Sequence, residues 1–147
     1  LQDNEVMYAY EGAFNGTEVR EWLDRQIKRY AEDKVGLWGA VLKENGELIG
    51  QCGITMQPYR EQTVPEIGYL IRMNFWHNGY ATEAARSCAD YASHILGIKR
   101  IYSIIRDNNL PSQGVAKRIG MTPDDTIVKH YRGIDMPHIV FSMPLGE

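Results

Sequence analysis

A helix made of small residues lies between two strand-like runs in the middle of the chain. Its apolar residues recur at helical spacing over positions 79–96, and Gly97 ends the pattern. They are Ala81, Ala84, Ala85, Cys88, Ala89, Ala92, Ile95 and Leu96. The run "VPEIGYLIRM" precedes this helix, and the β-rich run "IKRIYSIIR" follows it. Because a helical crossover returns the chain in the same direction, we expect the two strands to be parallel, with the helix packed closely on their sheet.

The rest of the chain adds antiparallel strands and two further helices. Segment 17–33 has an amphipathic helical pattern with Thr17 as its predicted N-cap, and we expect its apolar stripe to lie on the core. The stripe comprises Val19, Trp22, Leu23, Ile27, Tyr30 and Ala31. An Asn-Gly at position 45 predicts a hairpin, Pro111 lies near the start of a short helix, and "RGID" joins the last two strands. The sequence therefore predicts one α+β domain, residues 1–147, with a mixed, mostly antiparallel sheet.

The composition limits the partners that the chain can have. Hydrophobic residues make up 44% and charged residues 24% of the 147, and the net charge is −3. These values suit one globular domain and lack the basic surface of a general nucleic-acid binder, and no apolar run is long enough to span a bilayer. Cys52 and Cys88 have no metal-ligand spacing, and we interpret them as reduced thiols of a cytoplasmic protein, with a disulfide as the alternative. We expect no nucleic acid, membrane or metal partner, while a homodimer stays open.

The stretch "FWHNGYATEA", residues 75–84, connects the third strand to the small-residue helix. Backbone N–H groups in the first turn of a helix have no intrahelical partner, and together with the helix dipole they form a site for an anion. Gly79 and Ala81 keep side chains away from such a site. Taken alone, the stretch also fits an ordinary strand-to-helix connection, and that interpretation needs no ligand.

Two motifs of the second half resemble one known family. "EIGYLIRMNFWHNGYATEA" and "NNLPSQGVAKRIGM" resemble the acetyl-CoA-binding core of the GNAT superfamily of N-acyltransferases, and more closely its ribosomal-protein N-terminal acetyltransferase branch. That branch carries the signatures W-G-K-G-Y-A-T-E-A and N-x-x-S-x-x-v-x-x-K-x-G-F. The resemblance runs from about Val6 to Met143. It implies transfer of an acetyl group from acetyl-CoA to a primary amine, a protein N-terminus or a small molecule, by direct attack in a ternary complex.

The resemblance also implies where coenzyme A binds. The pyrophosphate would lie on the loop before the small-residue helix, formed by Trp76, His77, Asn78, Gly79, Tyr80 and Ala81, with Thr82 as a further donor. The family's basic residue before the glycine is absent, because His77 and Asn78 stand there. We therefore expect main-chain amides to hold the phosphates, with His77 either adding partial charge or lying in solvent.

The pantetheine arm would pair with the end of the third strand. An extended amide chain can add to an exposed strand edge, which in this family is the backbone of Tyr69, Leu70 and Ile71. We expect Gly68 to form a bulge that opens the sheet or to mark a close approach of another backbone, although an ordinary strand glycine is the alternative. Asn109 would bond the pantetheine amides, cap the following helix, or do both.

Amine acetylation needs a base for the ammonium, a polarised carbonyl and a proton for the departing thiolate. The resemblance places Glu66 near the position where family members keep a base, which often acts through water, whereas a lone strand Glu is otherwise usually a solvated edge residue. The backbone N–H of Leu70 or Ile71 would polarise the carbonyl. Many superfamily members use a Tyr as the acid, and Ala116 stands at its place here. In the branch that the chain resembles, the Ser of the N-x-x-S signature is proposed instead, which makes Ser112 the candidate acid, against a plain hydroxyl at a helix start.

The sequence does not specify the acceptor. In this fold the amine would approach between the first helix and the last hairpin, and the polar segment "MQPYREQTVPE" could rim that site. The aromatic residues and histidines to watch there, most of them expected to be core or surface residues, are Tyr8, Tyr10, Trp22, Trp38, Tyr59, His130, Tyr131 and His138. Family members normally have a first strand and helix before the segment that "DNEVMYAYEG" resembles, and we expect this domain to lack them. The rival hypotheses are a non-catalytic acyl-CoA-binding or regulatory module, and a structural protein that binds a partner through an open sheet edge.

Overall fold

Three α-helices and six strands make up the part of the chain that is described by the structure, a computed structural model covering residues 15–33 and 35–146. The order is α1 (Gly16–Glu32), β1 (Leu37–Val41), β2 (Leu48–Tyr59), β3 (Gln62–Ile71), α2 (Tyr80–His94), β4 (Arg100–Arg106), α3 (Leu110–Arg118), β5 (Thr122–Tyr131) and β6 (Ile134–Pro144). A short 3-10 turn, Met73–Phe75, lies between β3 and α2. Tyr8, Tyr10 and the question of the family's first strand and helix lie outside the described residues.

The six strands form one mixed sheet in the order β1-β2-β3-β4-β6-β5. All neighbouring pairs are antiparallel except β3 and β4, which are parallel as the helical crossover predicts. Their pairing consists of Glu66 opposite Tyr102 alone, although β3 continues to Ile71 and β4 to Arg106. The two strands therefore part after Glu66, and the sheet is open there.

The predicted bulge at Gly68 is wrong. Gly68 lies opposite Gly53 in a β2–β3 ladder whose register is unbroken from Gly50 to Tyr59. A Cβ added at Gly68 would meet only Leu37 Cδ2, at 3.7 Å, whereas one added at Gly53 would lie 2.1 Å from Gly36 O. The close backbone approach is thus on β2, and divergence from β4, rather than an extra residue in β3, opens the sheet.

Helix α2 packs its small side chains against the sheet, as its sequence predicts. Ala85 and Ala92 are fully buried, in one core cluster with Ile54 of β2 and Ile67 of β3. Each fully buried isoleucine contributes about 1.5–3 kcal/mol relative to an exposed one. Cys88 of α2 belongs to the same cluster, and its Sγ lies 3.5 Å from that of Cys52, with both thiols free.

Helix α1 differs from its sequence-based description in two ways. Its N-cap is Asn15 rather than Thr17, because Asn15 and Glu18 exchange side-chain and backbone hydrogen bonds in a capping box. The apolar stripe is not laid on the core, since Leu23 is 51% and Ile27 is 60% exposed. The buried side chain of α1 is the polar Gln26, which faces a cavity in front of the sheet.

Candidate active site

The opening between β3 and β4 begins at Glu66, whose carboxylate replaces a strand-to-strand bond. The Ile104 N–H donates to Glu66 Oε2 at 2.7 Å, and the Ser103 hydroxyl donates to the Ile67 carbonyl at 2.8 Å. These bonds satisfy polar groups at the point where the ladder stops. Burial raises the pKa of Glu66, and the positive charge of Lys129, the Ile104 N–H and Arg29 oppose that shift only in part. A carboxyl with a raised pKa at the head of an open sheet is suited to accept a proton near neutral pH.

A cavity of about 500 Å³ lies in front of Glu66, between α1, the sheet and the β5–β6 hairpin. We refer to it as the large cavity, and the polar side chains on its wall include Gln26, Arg29, Gln57, Glu66, Lys129 and His138. Its size lies in the range of small-molecule sites. Two residues of the polar segment "MQPYREQTVPE" line this wall, Gln57 and Glu66. The other residues of that segment belong to the outer end of the β2–β3 hairpin.

A second cavity, of about 300 Å³, lies against the start of α2 and is called here the loop cavity. Its wall is formed by the end of β3, where the pantetheine arm was predicted to pair, by most of the loop before α2, and by the start of α3. The predicted residues on it are Tyr69, Leu70, Ile71, Trp76, His77, Gly79, Tyr80, Ala81, Thr82, Asn109 and Ser112. Tyr69, Leu70, Asn109 and Ser112 also line the large cavity. The two cavities therefore meet where the strands part.

The loop before α2 is shaped to leave helix N–H groups accessible. Gly79 is the N-cap with φ +79°, and no side chain caps the first turn of α2. An added Cβ at Gly79 would meet nothing within 4 Å, so crowding is not the reason for glycine here. The reason is the left-handed backbone, which glycine adopts most readily. The Trp76 indole N–H donates to the Ile71 carbonyl at 2.8 Å and ties the loop to β3.

Asn78 is the predicted loop residue that the structure keeps off the cavity wall. Its side-chain amide donates to the carbonyls of Phe75 at 3.2 Å and of Trp76 at 2.9 Å. These bonds hold the turn together, and the side chain is directed into the loop. Asn78 therefore shapes the loop, and His77 is the residue of the pair that lines the cavity.

A cation that the sequence analysis did not assign lies on the loop cavity. Arg118, in the last turn of α3, lines the cavity, and its Nε donates to Thr82 Oγ1 at 3.2 Å. Among the described residues no carboxylate lies within ion-pair distance of it. The sequence did contain a signal for Arg118. The Lys of the signature N-x-x-S-x-x-v-x-x-K-x-G-F falls at position 118 when its Asn is placed at Asn109. The expectation that main-chain amides hold the phosphates did not include this guanidinium, which lies on the same cavity wall.

The start of α3 is joined to β3 across the junction of the cavities. Asn109 caps α3 by accepting from the Ser112 N–H at 3.3 Å, which confirms the capping alternative. The Tyr69 hydroxyl donates to the Ser112 carbonyl at 2.6 Å. Ala116, at the place of the superfamily's Tyr, is fully buried. Ser112 is the hydroxyl-bearing residue of α3 at this junction.

The aromatic residues and histidines predicted near the acceptor divide into two groups. Trp22, His130, Tyr131 and His138 line the large cavity. Trp38 instead packs edge-on against Tyr91 of α2, with ring centroids 5.5 Å apart, and the Tyr59 hydroxyl donates to Asp125 at 2.6 Å. His138 Nδ1 lies 2.8 Å from the Met136 carbonyl, and burial lowers its pKa, so the ring is neutral at pH 7.

Comparison with known proteins assigns the family. The sequence model of the acetyltransferase (GNAT) domain matches residues 1–122. The chain belongs to the GNAT acetyltransferase family. It is 40% identical over 129 residues to the uncharacterized protein YkkB of Bacillus subtilis strain 168, covering 88% of this chain and 75% of that protein. GNAT members transfer an acyl group from acetyl-CoA to an amine, so the acetyltransferase class and its acyl donor follow from the family.

Solved GNAT structures confirm the α+β fold. An acetyltransferase of the GNAT family from Bacillus anthracis superimposes with a TM-score of 0.77 at 22% identity, covering 97% of this chain and 83% of that chain. A ribosomal L7/L12 alpha-N-protein acetyltransferase in complex with coenzyme A has a TM-score of 0.74 at 15% identity, covering 90% and 75%. At these identities the GNAT likeness is one of fold.

Two further observations concern ions and membranes. Within the described ranges of the GNAT chain, no three His, Cys, Asp or Glu side chains are grouped so that they could hold a metal ion. In the same ranges, no helix has the length and apolar character that crossing a bilayer requires. The cytoplasmic location and the homodimer stay predictions.

Proposed function

We propose that the protein acetylates a primary amine by direct attack on acetyl-CoA within a ternary complex. The observation that carries the proposal is the junction of two cavities at the parting of β3 and β4, with Glu66 at its head. One cavity suits the donor and the other the acceptor. The thioester would lie at the junction lined by both.

Coenzyme A would bind along the loop cavity. Its pyrophosphate would accept from the N–H groups at the start of α2, where Arg118 adds a guanidinium beside Thr82. Its pantetheine amides would pair with the backbone of Tyr69, Leu70 and Ile71, because the edge of β3 that faces β4 has no partner there among the described strands. Both interactions place the thioester toward Ser112.

The reaction would then take place at the junction. Glu66, directly or through a water, takes a proton from the substrate ammonium, and the free amine nitrogen attacks the thioester carbonyl. The N–H of Leu70 or Ile71 donates to the oxyanion that forms. Collapse of the intermediate breaks the C–S bond, and the Ser112 hydroxyl supplies a proton to the thiolate, regained from the ammonium of the intermediate. The products are an N-acetyl amine, coenzyme A and the proton that Glu66 releases to solvent.

The test is release of the coenzyme A thiol from acetyl-CoA with a panel of amines and N-terminal peptides, followed by the mass of the acetylated product. We expect at least one amine to gain one acetyl group in step with thiol release. Binding of coenzyme A without turnover on any amine would instead support the non-catalytic binding module, which the absence of the usual Tyr at Ala116 favours.

Ser112→Ala tests the proton donor. We expect kcat to fall about 10²-fold, with little change in the KM for acetyl-CoA, because the hydroxyl acts only when the thiolate departs. Its backbone N–H still donates to Asn109, so the cap of α3 remains. Tyr69→Phe, which removes the bond to the Ser112 carbonyl and leaves the Ser112 hydroxyl in place, is the matched comparison. An unchanged kcat in Ser112→Ala would remove Ser112 from the mechanism.

A further inference from the structure

The wall of the large cavity carries an excess of positive charge. Among the described residues that line it, Arg25, Arg29, Arg106 and Lys129 are cationic, and Glu66 is the sole carboxylate. Arg106 lies 3.9 Å from Asp107, which offsets its charge. No carboxylate among the described residues lies within 4 Å of Arg29 or Lys129, and both are half-buried. Such a wall attracts an anion and repels a simple ammonium ion.

Gln26 supplies a second, independent observation. Its side chain is 3% exposed and lines the cavity, yet within the described part of the chain its Nε2 group has no hydrogen-bond partner. Its Oε1 accepts from Arg29 Nη1 at 3.4 Å, which fixes the amide beside the guanidinium. A buried donor without a partner is costly and rare. An acceptor atom of a ligand in the cavity would satisfy it.

Glu66 offsets the positive charge of this wall only in part, because it is one carboxylate against Arg25, Arg29, Arg106 and Lys129. Its carboxylate accepts from the Ile104 N–H at the opening of the sheet and thus lies on the β4 side of the cavity. The donor Gln26 and the cation Arg29 come from α1, and Lys129 comes from β5. The charges on the cavity wall are therefore unevenly distributed. The proton acceptor Glu66 lies on the β4 side, and the donor Gln26 and the cations Arg29 and Lys129 lie on α1 and β5.

We propose that the acceptor is a primary amine that also carries a carboxylate, held by Gln26, Arg29 and Lys129 while its amine faces Glu66. This inference rests on the proposed acetyl transfer and specifies its substrate class. The positive wall has a further effect, because it disfavours the ammonium form and so helps Glu66 to obtain a free amine. The carboxylate could belong to a free amino acid or to an acidic residue beside a peptide N-terminus.

Matched acceptor pairs test the charge requirement. Free serine and serinamide form the small-molecule pair, and two C-terminally amidated tripeptides with Asp or Asn at the second position form the peptide pair. We expect kcat/KM to favour the carboxylate member of one pair by about tenfold or more, since hydrogen bonds to charged groups are the strong ones. The pair that shows the preference identifies the source of the carboxylate.

Substitutions test the residues. Arg29→Gln and Lys129→Gln should each reduce the preference about tenfold while leaving the KM for acetyl-CoA unchanged. Arg20→Gln is the matched control, because Arg20 is an exposed arginine of α1 that lines neither cavity. It should keep the preference of the parent protein.

The outcomes separate this inference from the proposed function. Thiol release with the uncharged members at equal or higher kcat/KM overturns the anionic acceptor and leaves acetyl transfer standing. A preference that persists in Arg29→Gln and Lys129→Gln overturns the assigned residues. No thiol release with these pairs, but release with other primary amines, overturns the inference alone. No release with any amine overturns the proposed function together with it.

Discussion

Glu66→Gln is expected to lower kcat by about 10²- to 10³-fold, the usual contribution of a positioned base. Gln has the same shape and can still accept from the Ile104 N–H, which Glu66 does at 2.7 Å, so the opening between β3 and β4 is kept. It cannot take a proton from the ammonium. Steady-state rates of thiol release with a productive amine measure the effect, and a kcat within threefold of the parent would remove Glu66 from the role of base.

The pH dependence gives the same prediction a second readout. Since burial raises the pKa of Glu66, kcat/KM of the parent should rise with pH through a midpoint above the ordinary carboxyl range. Glu66→Gln should lose this acidic limb. A limb that remains in the variant assigns the titration to another group, and His138, whose pKa is lowered by burial, is the group to test next.

Stability should move in the opposite direction to activity in Glu66→Gln. A carboxyl whose folded-state pKa is raised stabilises the fold below its unfolded pKa, and that contribution is lost as the pH rises through the folded-state pKa. At neutral pH, which lies above the unfolded pKa, the raised pKa of Glu66 therefore costs stability. We expect the variant to be at least as stable as the parent in urea unfolding at pH 7, which would exclude misfolding as the cause of its low kcat.

Gly53→Ala is expected to destabilise the fold by about 3 kcal/mol or more, lowering Tm by roughly 10 °C. Its new Cβ would lie 2.1 Å from Gly36 O and 2.7 Å from Leu37 Cα, so the backbone of β1 would have to move away from β2. Thermal unfolding followed by circular dichroism measures the loss.

Gly68→Ala is the matched control for that substitution. Gly68 lies directly opposite Gly53 in the same ladder, and its added Cβ would meet only Leu37 Cδ2 at the ordinary distance of 3.7 Å. Its stability should stay within about 1 kcal/mol of the parent, since alanine restricts the unfolded chain more than glycine does. Equal losses in the two variants would contradict the close approach of β1 to Gly53.

Local chemistry predicted the elements well. The Asn-Gly turn, the small residues of α2 and the cap at Asn109 each act within a few positions of the chain, so their effect can be inferred from neighbours in sequence. The parallel pairing of β3 and β4 also followed, because the handedness and direction of a helical crossover are general. The GNAT motifs then located the loop cavity.

Long-range geometry was not predictable in the same way. Helical periodicity identified the apolar face of α1, but a periodic pattern does not show which element packs on that face. In the structure Leu23 and Ile27 of this face are exposed. Arg118 contacts Thr82 across 36 positions, and Glu66 contacts Ile104 across 38. The first contact depends on how α3 packs beside α2, and the second depends on how β4 lies beside β3. Gly68 was misassigned because a glycine in a strand does not show on which of two facing strands the crowding occurs.

Calorimetric titration of coenzyme A into the intact chain tests the central claim most directly. We predict saturable binding, weakened about tenfold in Arg118→Gln because a charge-assisted contact to phosphate is lost. Binding should be unchanged in Lys117→Gln, which alters an exposed neighbour that lines neither cavity. Equal affinity in the two variants would remove Arg118 from the phosphate site. No detectable binding to the parent chain at millimolar coenzyme A would contradict the account as a whole.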